Sequence, residues 1–225
     1  MNDLDSPSTQ GHAKPSPTHP APISMLGFLR DGANLITLAG LACAVTGIYF
    51  AIQGVFEAAM IALLWAILCD WMDGPVARRT SGRSKAHGAF GGALDSLVDI
   101  VSLGVLPAVV LLSYGEFSPW FLPGAFVAIA AGVVRLSYFD VFGLEGGKSY
   151  TGLPLDLNGL ALTVVFLFER LIGHAVFQGL LYGFVVLLAL LNVSSLRVPK
   201  MVGVWYYVIT AYVLASTALY VALLL

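Results

Sequence analysis

The chain has 225 residues, of which 58% are hydrophobic and 11% are charged, and its mean hydropathy is +0.87. These values lie well outside the range of soluble domains, so the sequence predicts an integral membrane protein. The net charge of −2 is too small to say anything about partners. We expect no binding of nucleic acid.

The first 24 residues contain five prolines among polar residues and have no apolar run, so they cannot bury a core. We predict that residues 1–24 form a disordered tail on the cytoplasmic side of the membrane. A short interfacial helix over residues 25–30 is expected to lead into the membrane domain, which extends over residues 25–225.

Seven apolar segments follow the tail, separated by short polar or glycine-rich loops. Each is long enough for a spanning helix, whereas a membrane barrel would show alternating segments of about 10 residues. The sequence therefore predicts an all-α fold, a polytopic membrane helical bundle with six to seven transmembrane helices. The segments lie near residues 33–53, 56–74, 89–113, 120–139, 156–173, 176–196 and 203–225.

The basic residues predict the orientation of the bundle. With the N-terminus in the cytoplasm, ten of the eleven Lys and Arg residues fall on the cytoplasmic side, and only Arg170 falls on the other side. The positive-inside rule therefore favours a cytoplasmic N-terminus, and seven segments would place the C-terminus outside. We expect a prokaryotic cytoplasmic membrane as the location.

The second apolar segment contains two carboxylates. An Asp near the centre of a spanning helix costs roughly 2.5–3.5 kcal/mol on insertion scales, so a compensating group is expected. Asp70, Asp73, Gly74 and Ala77 follow one another at i, i+3, i+4 and i+7, the spacing of one helix face. Arg78 adds a guanidinium group suited to bidentate phosphate contact.

The third apolar segment contains a second pair of carboxylates. Gly91, Asp95 and Asp99 follow at i, i+4 and i+8, again on one helix face. Packed antiparallel across a short cytoplasmic loop, the two helices would hold one or two hard cations such as Mg²⁺ or Mn²⁺ between their carboxylates. Metal ions beside an arginine favour a substrate with phosphoryl groups.

Eight positions within residues 70–99 resemble the signature of the CDP-alcohol phosphotransferases. The resemblance implies a core of six transmembrane helices, often in a homodimer, and a catalytic domain over residues 25–225. It also implies transfer of a phosphatidyl group from a CDP-linked donor such as CDP-diacylglycerol to an alcohol, with release of CMP. The matching positions are Asp70, Asp73, Gly74, Ala77, Arg78, Gly91, Asp95 and Asp99.

The same resemblance implies roles for individual residues. Asp70, Asp73, Asp95 and Asp99 would bind two Mg²⁺ or Mn²⁺ ions, and Asp95 and Asp99 would be catalytic, with Asp99 as the general base. The residues expected beside the nucleotide and diphosphate are Asp70, Gly74, Ala77, Arg78 and Gly91, together with Asn34 and Thr37, which also suit helix capping.

The acceptor alcohol is predicted from the flanking sequence. The stretch from Leu94 to Ala108 and the Gly-Leu-Pro turn at 152–154 look most similar to the phosphatidylserine synthase branch, so L-serine is the expected acceptor. Tyr138 and Asp140 depart from that branch, which usually shows Arg and Asn there. Glycerol phosphate, inositol and inositol phosphate therefore stay open as acceptors.

Acceptor contacts are predicted at three positions, Arg135, Lys148 and Ser96. Arg135 at the end of its segment fits a contact with substrate or an interfacial position of its charge equally well. Asp156 and Asn158 follow the Gly-Leu-Pro turn and mark either a helix start or an acceptor contact.

Two features complicate the resemblance. The loop between Arg78 and Gly91 is four residues longer than the usual pattern, and we expect its polar residues 82–85 to extend the turn.

A different class of function is also open, because membrane carboxylates occur in secondary cation-coupled transporters as well. A transport path needs polar groups across the bilayer depth, whereas here the four Asp residues gather towards one face.

Overall fold

A computed structural model describes residues 24–225, and the predicted disordered tail lies, apart from its last residue, outside the described residues. The predicted helix over residues 25–30 is confirmed as a short 3₁₀ helix, Met25–Arg30. The remaining elements, in chain order, are α1 (Gly32–Ile52), α2 (Phe56–Arg79), α3 (Lys85–Asp99), a π-helical segment (Ile100–Val105), α4 (Leu106–Tyr114), α5 (Leu122–Phe142), β1 (Ser149–Thr151), α6 (Leu155–Phe166), α7 (His174–Asn192), β2 (Arg197–Pro199) and α8 (Val204–Leu224).

The described chain contains six helices that are long and apolar enough to cross a membrane, which confirms the polytopic helical bundle. Their side chains face lipid over much of their surface, so large apolar residues such as Phe126 and Val133 are exposed. The six helical stretches are Gly32–Ile52, Phe56–Arg79, Lys85–Tyr114, Pro119–Phe142, His174–Asn192 and Val204–Leu224.

The predicted segment 156–173 is helical only as far as Phe166 and ends in a short 3₁₀ turn, Glu169–Leu171. It nevertheless runs along α2. Trp71 Nε1 donates to Asp156 at 2.9 Å at one end, and Arg170 contacts Glu57 at 2.7 Å at the other. These contacts on α2 are 14 residues apart, about 21 Å at 1.5 Å per residue. Within residues 24–225, seven helical stretches therefore run along the bundle, the six long ones and this shorter one.

The third spanning stretch is one continuous helix from Lys85 to Tyr114 with a π-helical segment in its middle. The π segment begins directly after Asp99 and ends before Leu106, whose N–H bonds to the Val101 carbonyl, five residues back. Ser102 Oγ donates to the Val98 carbonyl at 2.9 Å and occupies a further backbone acceptor. Wider helical turns of this kind are frequent at functional sites.

The core lies around α2, which packs against α1, α6 and α8. Its side chains Met60, Leu63, Leu64 and Ile67 are fully buried. Because α2 is enclosed on several sides, the position of its carboxylates relative to the neighbouring helices is fixed by close packing.

Two short strands were not predicted. β1 and β2 pair antiparallel, with Tyr150 opposite Val198, and hold the loop after α5 against the end of α7. Gly152 follows β1 with φ +76°, and a Cβ there would lie 2.0 Å from the Asn192 carbonyl oxygen. Only glycine fits this turn, and the turn brings β1 and the start of α6 beside the carboxylates of α2 and α3.

Candidate metal centre and substrate cavity

Three of the four predicted carboxylates meet at one point. Asp70 on α2 and Asp95 and Asp99 on α3 each present an oxygen, and these oxygens lie within 4.8 Å of one another. The i, i+4 spacing places Asp95 and Asp99 on one face of α3, and α2 packs so that Asp70 faces them. The convergence predicted from spacing is therefore present in the structure.

The donor set fits a divalent cation. The three carboxylates are partly buried, and among the described residues no Lys or Arg forms an ion pair with any of them. Carboxylates held this close repel one another unless a positive charge lies between them. Oxygen-only ligands of this kind are typical of Mg²⁺, Mn²⁺ or Ca²⁺.

Asp73 lies beside this group rather than within it. Its carboxylate is close to that of Asp95, and its Oδ2 lies 2.6 Å from the hydroxyl of Thr37 on α1. Thr37, expected at the nucleotide, thus contacts a predicted metal ligand. Asp73 extends the carboxylate cluster towards α1, where a second cation would have ligands.

The positions predicted beside the nucleotide lie on the same end of the bundle. Gly74 leaves space next to Arg78, since an added Cβ would lie 3.4 Å from the Arg78 guanidinium. Arg78 is exposed and donates to the Tyr206 hydroxyl at 3.0 Å, and Ala77 is partly buried. Their nucleotide roles stay predictions.

Gly91 lies where α3 comes close to Arg83 and Asn34. A Cβ at Gly91 would lie 2.7 Å from the Arg83 guanidinium and 2.9 Å from Asn34 Oδ1. Asn34 is buried, and its amide nitrogen donates to the Phe28 carbonyl at 2.9 Å. Asn34 therefore has a structural contact in addition to its predicted nucleotide role.

Arg83 forms an ion pair with Asp31, the N-cap of α1. The sequence indicates only that Arg83 marks the cytoplasmic side, and the structure adds this contact. Burial acts to raise the pKa of the Asp31 carboxyl, but the hydrogen bond from Arg83 and that from the Ala33 N–H outweigh it, so the pKa is lower than usual. The longer loop is thereby fixed to the start of α1.

A cavity of about 130 Å³ adjoins the three carboxylates. Of the predicted acceptor residues, Ser96 and Arg135 line it, whereas Lys148 lies on the exposed loop before β1 and does not. Ser96 Oγ also donates to Asp140 Oδ1 at 3.0 Å. The structure thus brings two of the three predicted acceptor residues to the cavity.

Arg135 is the single basic residue that the described part of the chain contributes to the cavity lining. It is only 8% exposed, and its guanidinium lies 5.4 Å and 5.3 Å from the ring centres of Phe139 and Tyr150. Its Nε atom is buried and has no hydrogen-bond partner among the described residues. A buried donor without an acceptor is costly, so the site favours an anionic ligand group.

Two further residues line the cavity. Burial, and after it the carboxylate of Asp156, raises the pKa of Tyr150, so its hydroxyl is protonated at neutral pH. Asp156 itself accepts from Trp71 and lines the cavity, while Asn158 bonds to Asn192 at 2.8 Å outside it. Tyr150 carries no sequence signal, whereas Asp156 was indicated by its place after the Gly-Leu-Pro turn.

Comparisons with known proteins point in one direction. A family model described as CDP-alcohol phosphatidyltransferase matches residues 31–224. An archaetidylserine synthase from Methanothermobacter thermautotrophicus is 32% identical over 76% of this chain and 70% of its own length. CDP-diacylglycerol–serine O-phosphatidyltransferases from Helicobacter pylori and Methanocaldococcus jannaschii are 29% and 34% identical, over 74% and 60% of this chain and 71% and 60% of their own lengths.

Proposed function

Because the chain belongs to the CDP-alcohol phosphatidyltransferase family, we propose that this membrane enzyme transfers the phosphatidyl group of CDP-diacylglycerol to L-serine and releases CMP. The observation that carries the proposal is the convergence of Asp70, Asp95 and Asp99 within 4.8 Å, beside a cavity that also contains Arg135. The names of the similar proteins support serine as the acceptor.

Enzymes of this family generally use divalent metal ions. We propose two ions, Mg²⁺ or Mn²⁺, with Asp70, Asp73, Asp95 and Asp99 as the ligands. Bound ions of this kind neutralise a diphosphate and stabilise the leaving CMP. The carboxylates supply the ligands from two adjacent helices, and Thr37 orients Asp73 through its 2.6 Å contact.

The transfer is a displacement at phosphorus. The serine hydroxyl oxygen forms a bond to the phosphatidyl phosphorus, the bond from that phosphorus to the CMP oxygen breaks, and CMP leaves with the electron pair. Asp99 accepts the hydroxyl proton as general base, since it lines the cavity where the acceptor would lie. Asp95, one turn away on α3, is the second catalytic residue and would act as a metal ligand beside the reacting groups.

The remaining predicted residues are assigned the following roles in this proposal. Arg78, with Gly74 and Ala77 beside it, would bind the donor diphosphate at the exposed end of α2, and Asn34, Thr37 and Gly91 would border the nucleotide. Arg135 would bind the serine carboxylate, with Ser96 on the same wall. Among residues 24–225, Lys148 makes no side-chain contact that supports its predicted role.

The orientation follows from the basic residues. Arg78 and Arg83 lie at the end of the bundle with the carboxylates, whereas Arg170 lies at the other end, beside Glu57. We place the carboxylate end, and with it the N-terminus, at the cytoplasmic face of a prokaryotic membrane. A homodimer is the expected assembly. The clustering of all four carboxylates at one end also favours transfer chemistry over cation-coupled transport.

The test is CMP release by the purified protein from CDP-diacylglycerol with Mg²⁺ or Mn²⁺. Serine, glycerol 3-phosphate, inositol, inositol phosphate and choline are offered separately, and an ether-linked CDP-lipid serves as a second donor. Release that depends on serine is expected. Release that depends on another alcohol would overturn the serine assignment, and no release from folded protein with either donor would contradict the transferase proposal.

A further inference from the structure

The cavity contains two side chains of opposite charge that do not pair with each other. Arg135 on α5 and Asp156 at the start of α6 both line it. Among the described residues neither side chain forms an ion pair, for which nitrogen and oxygen must approach within 4.0 Å. The space beside them is therefore suited to a ligand that carries both charges.

The arginine side of the cavity recognises an anion. The guanidinium of Arg135 lies against the Phe139 and Tyr150 rings, and its buried Nε has no partner among the described residues. Both rings lie close to the guanidinium, whose edge carries the unpartnered Nε–H. A planar carboxylate matches that edge with two hydrogen bonds.

The aspartate side has spare acceptor capacity. Asp156 Oδ2 accepts from Trp71 Nε1 at 2.9 Å, and Oδ1 accepts from the Leu157 N–H at 3.0 Å. These bonds fix the carboxylate but use only two of its roughly four lone-pair sites. An ammonium group is the cation that such an anchored carboxylate would bind, and Asp156 lies outside the three-carboxylate metal group.

On the basis of the proposed transferase function, we infer that Asp156 binds the ammonium group of a zwitterionic hydroxy amino acid. The carboxylate of the bound amino acid then contacts Arg135, and the hydroxyl of the amino acid points towards Asp99. The same residue disfavours phosphorylated alcohols, because a phosphate would add negative charge beside Asp70, Asp95, Asp99 and Asp156, with Arg135 as the single basic group of the lining. Asp156 is thus a specificity-determining residue.

The first test is Asp156→Asn, which removes the charge and keeps an oxygen for Trp71. The KM for serine should rise about 10- to 100-fold, the usual effect of losing a charge-assisted hydrogen bond. The kcat and the KM for CDP-diacylglycerol should stay close to those of the unmodified protein. The control is Glu145→Gln, an exposed carboxylate paired with Arg197 at 2.6 Å, which should leave all three constants unchanged.

Two serine analogues separate recognition from a structural effect. 3-Hydroxypropionate lacks the ammonium group and ethanolamine lacks the carboxylate. Asp156→Asn should lower the use of ethanolamine but not of 3-hydroxypropionate, and Arg135→Gln should have the reverse effect. A merely structural role of Asp156 would lower the use of both analogues together. Calorimetric titration with serine, in the presence of CMP and Mn²⁺, should show the same loss of affinity in Asp156→Asn.

An unchanged KM for serine in Asp156→Asn, while the unmodified protein uses serine, would overturn this inference and leave the proposed function standing. If the variant does not fold, the unmodified protein still decides: equal use of serine and 3-hydroxypropionate would overturn the inference. A folded, unmodified protein that releases no CMP with any acceptor would overturn the proposed function and this inference with it.

Discussion

The hydroxyl of Thr37 on α1 lies 2.6 Å from Asp73 Oδ2 on α2. This contact joins a helix without any predicted metal ligand to the carboxylate cluster. Thr37 is 4% exposed, so water cannot readily replace its hydroxyl if the residue is changed. The first helix thereby contributes one hydrogen bond to the carboxylate cluster.

Replacing Thr37 by Val should weaken metal binding. The change keeps the shape of the side chain and removes the donor to Asp73, and losing an outer-shell partner typically costs 10- to 100-fold, so we expect about a tenfold higher Mn²⁺ requirement for CMP release. Thr46→Val is the matched control, since Thr46 on the same helix is exposed and donates only to the Ala42 carbonyl at 2.8 Å. Equal metal requirements in the two variants would contradict the role of Thr37.

Asp99→Asn should separate chemistry from binding. As the general base, Asp99 should contribute about 10²- to 10⁴-fold to turnover, so the variant should nearly lose CMP release while still binding CDP-diacylglycerol in a metal-dependent way. Asp70→Asn and Asp73→Asn should weaken both properties. Glu116→Gln, an exposed carboxylate at the opposite end of the bundle, is the control. Normal turnover in Asp99→Asn would remove the general-base assignment.

The effect of Asp95→Asn on thermal stability should change sign when metal is added. Without metal, the variant should be more stable to heat than the unmodified protein, because it removes one of three carboxylates held within 4.8 Å. Saturating Mn²⁺ should reverse the order, since a ligand at 100 times its Kd stabilises the native state by about 2.7 kcal/mol. Thermal unfolding in detergent, with chelator or with Mn²⁺, measures both values. A variant less stable in both conditions would argue against a metal centre.

The Asp31 and Arg83 ion pair should give a pH-dependent contribution to stability. Because the folded-state pKa of Asp31 is lowered, the unfolded state binds more protons between the two pKa values. The contribution is therefore fully present above the unfolded pKa of about 3.9 and is lost as the pH falls through the lower folded value.

Arg83→Gln should accordingly reduce stability at pH 7 by about 1.5–3 kcal/mol, the usual value of a hydrogen bond to a charged group. The difference from the unmodified protein should shrink as the pH falls below about 4, where Asp31 is neutral in the unfolded chain. Thermal unfolding from pH 3 to pH 7 measures it. Arg30→Gln, an exposed neighbour, controls for net charge. A loss in Arg83→Gln that persists undiminished at pH 3 would exclude the ion pair as its cause.

Gly152→Ala should be strongly destabilising. The new Cβ would lie 2.0 Å from a backbone oxygen, in addition to the strain of φ +76°. Gly143→Ala is the matched control, because Gly143 has φ +66° but open space around it. We expect the control to lose about 1 kcal/mol from φ strain and Gly152→Ala to lose several times more. Comparable unfolding temperatures for the two variants would show that the turn can move away from Asn192.

The sequence predicts the carboxylate cluster well. Asp70, Asp95 and Asp99 occur at helical spacings on two neighbouring segments, so local periodicity and one short loop are enough to bring them together. The spanning helices are predicted for the same reason, since length and hydropathy decide them. The segment near 156–173 is predicted too long, because its apolar composition continues past the helix end at Phe166.

Tyr150, which also lines the cavity, is not predictable in this way. Tyr150 reaches the cavity through the pairing of β1 with β2, whose partners are 48 positions apart in the chain. The strands are three residues each, too short to give an alternating pattern. The pairing of Arg83 with Asp31 and the π-helical segment after Asp99 likewise depend on packing between distant parts of the chain. Propensity and spacing do not encode such contacts.

The carboxylates proposed to bind metal and most of the side chains proposed to bind the acceptor come from different parts of the chain. The carboxylates lie on α2 and α3, which are joined by a short turn, and Ser96 also lies on α3, whereas Arg135, Tyr150 and Asp156 lie on α5, β1 and α6. Mutations in the later part of the gene can therefore alter which alcohol is accepted without disturbing the earlier part. A duplicated copy of such a gene has a short evolutionary path to a new lipid headgroup, because the machinery for phosphoryl transfer is inherited unchanged.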